Sequence, residues 1–134
     1  MSAQIDAAKN NADKYAGMVL HYSHNAEKYL RSKEHHKASE MMWGTMSCAL
    51  KMVAAKKNKN INSHRGLGKF ADTLSKQEHD KEVYYSFSLA SMLHRNFYES
   101  NLDPILVKSM CAHVAKTAGR LMVKMGYRAP PMSS

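Results

Sequence analysis

Residues 37–57, KASEMMWGTMSCALKMVAAKK, decide the fold of this chain. At helical spacing this stretch is apolar on two faces. One face carries Ala38, Met42, Thr45, Ala49, Met52 and Val53, and the other carries Trp43, Met46 and Leu50. A helix that is apolar nearly all round lies at the centre of a bundle or is shared between a core and a subunit interface. We therefore predict a central helix over about 37–57.

The composition of the whole chain also favours helices. Val, Ile and Thr together number only 12, against 16 Ala and 11 Met in 134 residues. These β-branched types are the ones that strands prefer. Gly and Pro together number 9, so the chain has few interruptions. We predict an all-α protein.

The flanking segments predict an up-and-down bundle of about five helices, the first long and the third short. A 3-4 repeat of apolar residues in the first helix includes Tyr15, Tyr22 and Tyr29 and forms a long tyrosine and alanine seam with Ile5, Ala8, Ala12, Val19 and Ala26. Asp103 is a good N-cap and Pro104 suits a first helical position. The predicted segments are a junction at 32–36, a loop at 58–68, and helices at about 67–76, 81–100 and 104–125. Residues 1–126 then form a single domain, and residues 127–134 form a flexible tail.

The amount of apolar helix surface predicts a homodimer. The central helix is apolar on more than one face, and the first helix adds its seam, which is more than one small bundle needs. No run of 18 apolar residues and no apolar leader core occurs, so we expect no membrane association and a cytoplasmic location. Cys48 and Cys111 lie in apolar helical patterns and are predicted to be buried free thiols.

The net charge of +9 is concentrated in two stretches. Residues 41–71 contain no Asp or Glu but six cations, and residues 104–134 contain Lys108, Lys116, Arg120, Lys124 and Arg128, again without acid. Such stretches attract polyanions, of which RNA and DNA are the commonest inside cells. The alternative is a solvated lysine-rich surface. The candidate nucleic-acid contacts are Lys51, Lys56, Lys57, Lys59, Arg65 and Lys69.

Three motifs resemble those of the archaeal PaREP1 family, in the helical HEPN superfamily. They are ASEMMWG at 38–44, the pair Ser63-His64, and LHRNFYE at 93–99. The resemblance spans about 26–125 and implies a helical bundle that commonly dimerises. It also implies a link to toxin–antitoxin, defence or RNA-processing systems, and a nucleotidyltransferase-like protein as a partner.

Ribonucleases of that superfamily use an Arg, a polar residue and, four to six positions later, a His. Arg95-Asn96 begins such a motif, but Ser100, Asn101 and Leu102 stand where the His is needed. RSKEHH at 31–36 has the spacing and lies at a junction instead of in the late helix. The resemblance further suggests that Glu40, His64 and His94 converge as a polar network. The catalytic candidates are His94, Arg95, Tyr98 and Glu40.

Eight histidines raise the question of a metal site. His21, His24 and Glu27 follow one another at three-residue spacing, and His36 lies four residues before Glu40. The repeated Glu-x-x-His pairs of di-iron bundles are missing, so we expect no metal and no cofactor.

Three functions remain open from the sequence. The first is a noncatalytic, dimeric module that binds nucleic acid or a nucleic-acid-linked protein partner. The second is a ribonuclease with an unorthodox His, Arg and Glu site. The third is a purely structural interaction protein whose charge is incidental.

Overall fold

The computed structural model describes the backbone of residues 2–131 and the side chains of residues 6–131. Five helices follow one another: α1 (Ser2–Arg31), α2 (His35–Lys56), α3 (His64–Gln77), α4 (Lys81–Glu99) and α5 (Pro104–Lys124). No strand occurs in this part of the chain. The prediction of an all-α bundle with a long first and a short third helix is confirmed. None of the described helices is long and apolar enough to cross a membrane.

Helix α2 lies at the centre, where it contacts each of the other four helices. Thirteen of its 22 residues are buried, including Met46, Leu50 and Met52. Helix α4 is antiparallel to α2: Glu40 of α2 contacts His94 of α4, and the later residue Trp43 of α2 contacts the earlier residue Phe87 of α4. The apolar faces of α2 are therefore covered within one chain.

Helix α1 packs along α2 through the alanines and Val19 of its seam. Ala12, Ala16, Val19 and Ala26 are buried there. The ring of Tyr22 lies against Gly44, where a Cβ atom would come within 3.0 Å of the ring carbons. Gly44 thus permits the close approach of the two helices. The side chain of Ile5, which the predicted seam also includes, lies outside the described side chains.

These contacts bear on the expected homodimer. The two apolar surfaces that predicted it, the α1 seam and the second face of α2, are used inside the chain. The exposed large apolar side chains of the described chain lie elsewhere, and among the aliphatic ones Ile105 and Val123 on α5 are the most exposed. The homodimer stays a prediction, but the apolar surfaces from which it was inferred are already covered within one chain.

Two predicted boundaries were wrong. Helix α2 begins at His35, so the junction is limited to residues 32–34, where Lys33 has a left-handed φ of 61°. Helix α3 begins at His64 instead of near Leu67, because Ser63 caps it: the Ser63 hydroxyl accepts a hydrogen bond from the Gly66 N–H at 2.9 Å. The predicted start of α5, with Asp103 as N-cap and Pro104 in the first turn, is confirmed.

Packing continues beyond the end of α5. The Tyr127 hydroxyl donates a hydrogen bond to the Asp13 carboxylate, and the Ala129 side chain lies beside Gly119. Residues 127–131 therefore fold back along α5 and α1, in a stretch that was expected to be a flexible tail. Residues 132–134 lie outside the described residues.

A buried amide ties the α4–α5 turn to α2. Asn96 is 2% exposed; its Nδ2 donates to the Ser39 hydroxyl at 3.0 Å, and its Oδ1 accepts from the Leu102 N–H at 2.9 Å. The Leu102 N–H depends on this amide, because a buried polar group without a partner is costly.

We expect Asn96→Ala to lower the free energy of unfolding by about 1–3 kcal/mol, since it leaves the Leu102 N–H without its partner. The matched control is Asn101→Ala on the exposed turn, which we expect to change stability by less than about 0.5 kcal/mol. Urea titration of both variants checks this. Equal losses for the two variants would contradict the role assigned to Asn96.

Candidate functional site

Trp43 is the centre of an aromatic and histidine cluster between α2, α3 and α4. Its indole stacks on the His64 ring with centroids 4.7 Å apart and an interplanar angle of 16°. The rings of His94 and Phe87 lie 5.0 Å and 5.9 Å from it. We call the group Glu40, Trp43, His64, Phe87, Ser91, His94 and Tyr98 the Trp43 cluster. Each of the three helices contributes at least one ring to it.

Glu40 and His94 form the shortest polar contact of the cluster. The His94 Nδ1 lies 2.9 Å from one carboxylate oxygen of Glu40 and 3.2 Å from the other. Glu40 precedes Trp43 by three positions and so lies on the same side of α2. The two side chains are 23% and 32% exposed, so water reaches the pair. The carboxylate therefore holds His94 at the edge of the core.

His64 enters the cluster from the first position of α3. Its Nε2 lies 3.2 Å from the Ser91 hydroxyl, and its ring centroid is 6.3 Å from that of His94. Burial lowers the pKa of His64 below its ordinary value, and the nearby His94 lowers it further. The two imidazoles therefore differ in surroundings: one is paired with a carboxylate, and the other is not.

The remaining catalytic candidates lie at the outer rim. Tyr98 is 72% exposed, and its ring meets that of His94 edge-on at 5.5 Å. Arg95 is exposed and has no carboxylate partner among the described side chains. Glu40, His64, His94 and Tyr98 are thus brought together, and Arg95 adjoins His94 in the chain. The sequence reasoning missed Phe87 and Ser91, although both lie on the same stripe of α4 as His94.

The six predicted nucleic-acid contacts lie in one segment of the chain that runs from the C-terminal half of α2 through the loop into α3, which we call the basic end. It comprises Lys51, Lys56, Lys57, Lys59, Arg65 and Lys69. Five of the six are exposed, Lys51 being half-buried, and none forms an ion pair with a described carboxylate.

Aromatic rings hold three of these ammonium groups without neutralising them. Lys56 lies 5.0 Å from the centre of the Tyr127 ring, and Lys51 lies 5.9 Å from that of Tyr15. Lys59 lies 6.0 Å from that of Phe70. A cation over a ring face keeps its charge and is partly oriented. The basic end therefore presents positive charge to solvent.

The second basic stretch is different, because acids from the α3–α4 turn reach it. Arg120 pairs with Asp80 at 2.7 Å, and Lys124 approaches Glu78 at 3.9 Å. The hydrogen bond from Arg120 lowers the pKa of Asp80, which also caps α4. The second basic stretch is thus partly neutralised.

The sequence predictions also concerned the two cysteines and a possible metal site. Cys48 and Cys111 are free and buried, and burial raises the thiol pKa values to about 11 and about 12. No group of three His, Cys, Asp or Glu residues in the described chain is placed to hold a metal ion. His21 instead approaches the Asn25 side chain at 3.3 Å.

Comparison with known proteins identifies a family. A model of the archaeal PaREP1/PaREP8 family matches residues 14–117. That range contains the Trp43 cluster and the basic end. No curated protein and no solved structure matches the chain.

We expect the stability of the protein to fall as pH is lowered from about 7.5 to about 5.5, in part through His64. The unfolded chain takes up a proton near pH 6.5, whereas the folded chain resists protonation of His64 until a lower pH. The contribution of His64 therefore lowers the free energy of unfolding as the pH falls below 6.5. The measurement is the melting temperature across pH for the wild type, His64→Gln and the exposed control His24→Gln. A pH dependence that is the same in the His64 variant and the wild type would contradict this.

Proposed function

The chain belongs to the archaeal PaREP1/PaREP8 family, and we propose that it is a noncatalytic module that binds nucleic acid through the basic end. The observation that carries this proposal is that six cations of one chain segment, five of them exposed, have no carboxylate partner among the described residues. Phosphate backbones bind such surfaces by releasing condensed counterions.

A solvated lysine surface explains the basic end less well. Cations in the last turn of a helix are stabilised by its dipole, which accounts for Lys56 and Lys57 alone. Arg65 lies in the first turn of α3, where the dipole disfavours a cation and where no acidic residue offsets it. Lys69 lies four residues further along the same face. Binding of an anionic ligand explains why cations stand at both Arg65 and Lys69.

Several finer parts of this function are proposals as well. HEPN-like membership, a toxin–antitoxin or defence role and a nucleotidyltransferase-like partner rest on the resemblance. The homodimer and the cytoplasmic location rest on the apolar patterning of the sequence. Ile105 and Val123 are the most exposed aliphatic side chains of the described residues and are available for contact with a second copy. The nucleic-acid proposal depends on none of these.

We expect binding to short RNA and DNA to weaken with salt, with log affinity falling by roughly 0.7–0.9 per phosphate contact for each unit of log salt. Changing Lys56, Lys57 and Lys59 to Glu should make this slope shallower by about two units or more. The control changes Lys28, Lys81 and Lys116 to Glu, for the same change in net charge. Fluorescence anisotropy across salt measures both. Equal slopes for the two triple variants would contradict contact at the basic end.

A ribonuclease is the second candidate, favoured by the proximity of His64 to the Glu40–His94 pair. In this mechanism neutral His64 takes the proton from an RNA 2′-hydroxyl, and that oxygen attacks phosphorus. The bond to the 5′-oxygen breaks as protonated His94 gives that oxygen a proton, which leaves a 2′,3′-cyclic phosphate. Glu40 orients the His94 ring. The missing His after Arg95 argues against the superfamily mechanism, so this site would use different residues.

If the second candidate is correct, His94→Gln should reduce RNA cleavage by about 10²-fold or more, and Glu40→Gln by less. A strand with 2′-deoxyribose should resist cleavage, and the exposed control His24→Gln should retain full activity. Gel assays on labelled RNA, with circular dichroism to check folding, give these values. Wild-type protein that cleaves no RNA, or a His94 variant with full activity, would eliminate the ribonuclease.

A further inference from the structure

A cavity of about 500 Å³ lies between α1, α2, α5 and the returning C-terminal segment. It is bounded by residues of α2 other than those of the Trp43 cluster: Met42 and Thr45 line it, whereas Glu40 and Trp43 belong to the cluster. Its volume is within the range of sites that hold small organic ligands. Neither the basic end nor the Trp43 cluster explains it.

The inner walls of the cavity are aliphatic. Leu30, Met42 and Ala115 line it together with the thiol of Cys111, and its lining contains no aromatic ring among the described residues. Burial raises the pKa of Cys111 to about 12, so the thiol is neutral and behaves as an apolar group. The Thr45 hydroxyl donates to the Met41 carbonyl at 2.9 Å, so its proton is already used. These walls suit a flexible aliphatic chain.

The C-terminal segment closes one side of the cavity with two consecutive prolines, Pro130 and Pro131. Proline has no N–H, so this wall exposes no unsatisfied donor to an apolar ligand. The segment is anchored by the Tyr127 hydroxyl on Asp13. Burial and the contact with Asp13 raise the pKa of Tyr127 to about 12, which keeps the hydrogen-bond donor protonated.

Charged side chains border the cavity with an excess of one positive charge. Arg31 comes from the end of α1 and Lys108 from the first turns of α5, and Glu27 is the one acid in the described lining. The Arg31–Glu27 contact is long, at 3.9 Å, and the Arg31 side chain is 63% exposed. Lys108 forms no ion pair with a described carboxylate. Both cations are therefore available to an anionic head group.

We propose that this cavity binds an amphipathic carboxylate with an unbranched aliphatic chain. The chain lies among Leu30, Met42 and Ala115, and the carboxylate lies between Arg31 and Lys108. This site is separate from the basic end, and it stands whether or not the protein binds nucleic acid.

Decanoate and decanol, which share an aliphatic chain and differ in charge, are the probes. Calorimetric titration of the full chain should show binding of decanoate and weaker binding of decanol. Changing Arg31 and Lys108 to Gln should weaken decanoate binding about tenfold or more, because charge-assisted contacts are lost. The control changes Lys81 and Lys116 to Gln, which removes the same charge away from the cavity and should leave the affinity unchanged.

Methyl NMR locates the ligand without altering the core. Decanoate should shift the Met42 methyl signal, while the Met46 methyl, buried in the same helix outside the cavity, should stay in place. Ala115→Phe, which fills the cavity, should abolish binding, and a melting curve shows whether that variant folds. Equal binding of decanol and decanoate, equal affinity of the two Gln variants, or an unshifted Met42 signal would each overturn the proposal.

Discussion

The burial of α2 on nearly every side is the constraint on which the rest of the molecule depends. Each of the other helices covers a part of it. Polar residues are tolerated inside because they satisfy themselves locally: Ser39 donates to the His35 carbonyl and Thr45 to the Met41 carbonyl, each at 2.9 Å. Among the described side chains, the Ser47 hydroxyl is the one fully buried polar atom left without a partner.

The parts of α2 that remain uncovered carry the functional features. Near its start, Glu40 and Trp43 reach the surface between α3 and α4 and assemble the Trp43 cluster. Toward the C-terminal end of α2, Lys51 and Lys56 are the first two residues of the basic end. The packed core holds α2 in place, so it also positions the parts of the Trp43 cluster and of the basic end that α2 carries. The cavity uses a third part of the same helix, through Met42 and Thr45.

Local patterns were sufficient to predict most of the fold. Apolar spacing identified α2 as central, and the Asp103-Pro104 pair located the start of α5. The beginning of α3 was misplaced because the glycines at 66 and 68 were interpreted as loop residues, although the Ser63 cap allows the helix to include them. A capping serine is a short-range signal and was available in the sequence.

Long-range contacts were beyond such reasoning. Arg120 and Asp80 are 40 residues apart, so the partial neutralisation of α5 depends on how the α3–α4 turn folds. The return of residues 127–131 depends on Asp13, at the other end of the chain. Glu40 and His94 are 54 residues apart, and the resemblance, not periodicity, suggested their meeting. The pairing of α1 with α2 inside one chain could not be distinguished from pairing between two chains by apolar spacing alone.

Hydrogen-exchange mass spectrometry during titration with a short single-stranded oligonucleotide tests the central claim most directly. Ligand contact slows exchange in the segments that it covers. The account predicts that protection appears at residues 56–69 and disappears at high salt, while residues 93–99 are unchanged. Protection confined to residues 36–43 and 93–99, or no protection at any oligonucleotide concentration, would contradict binding at the basic end.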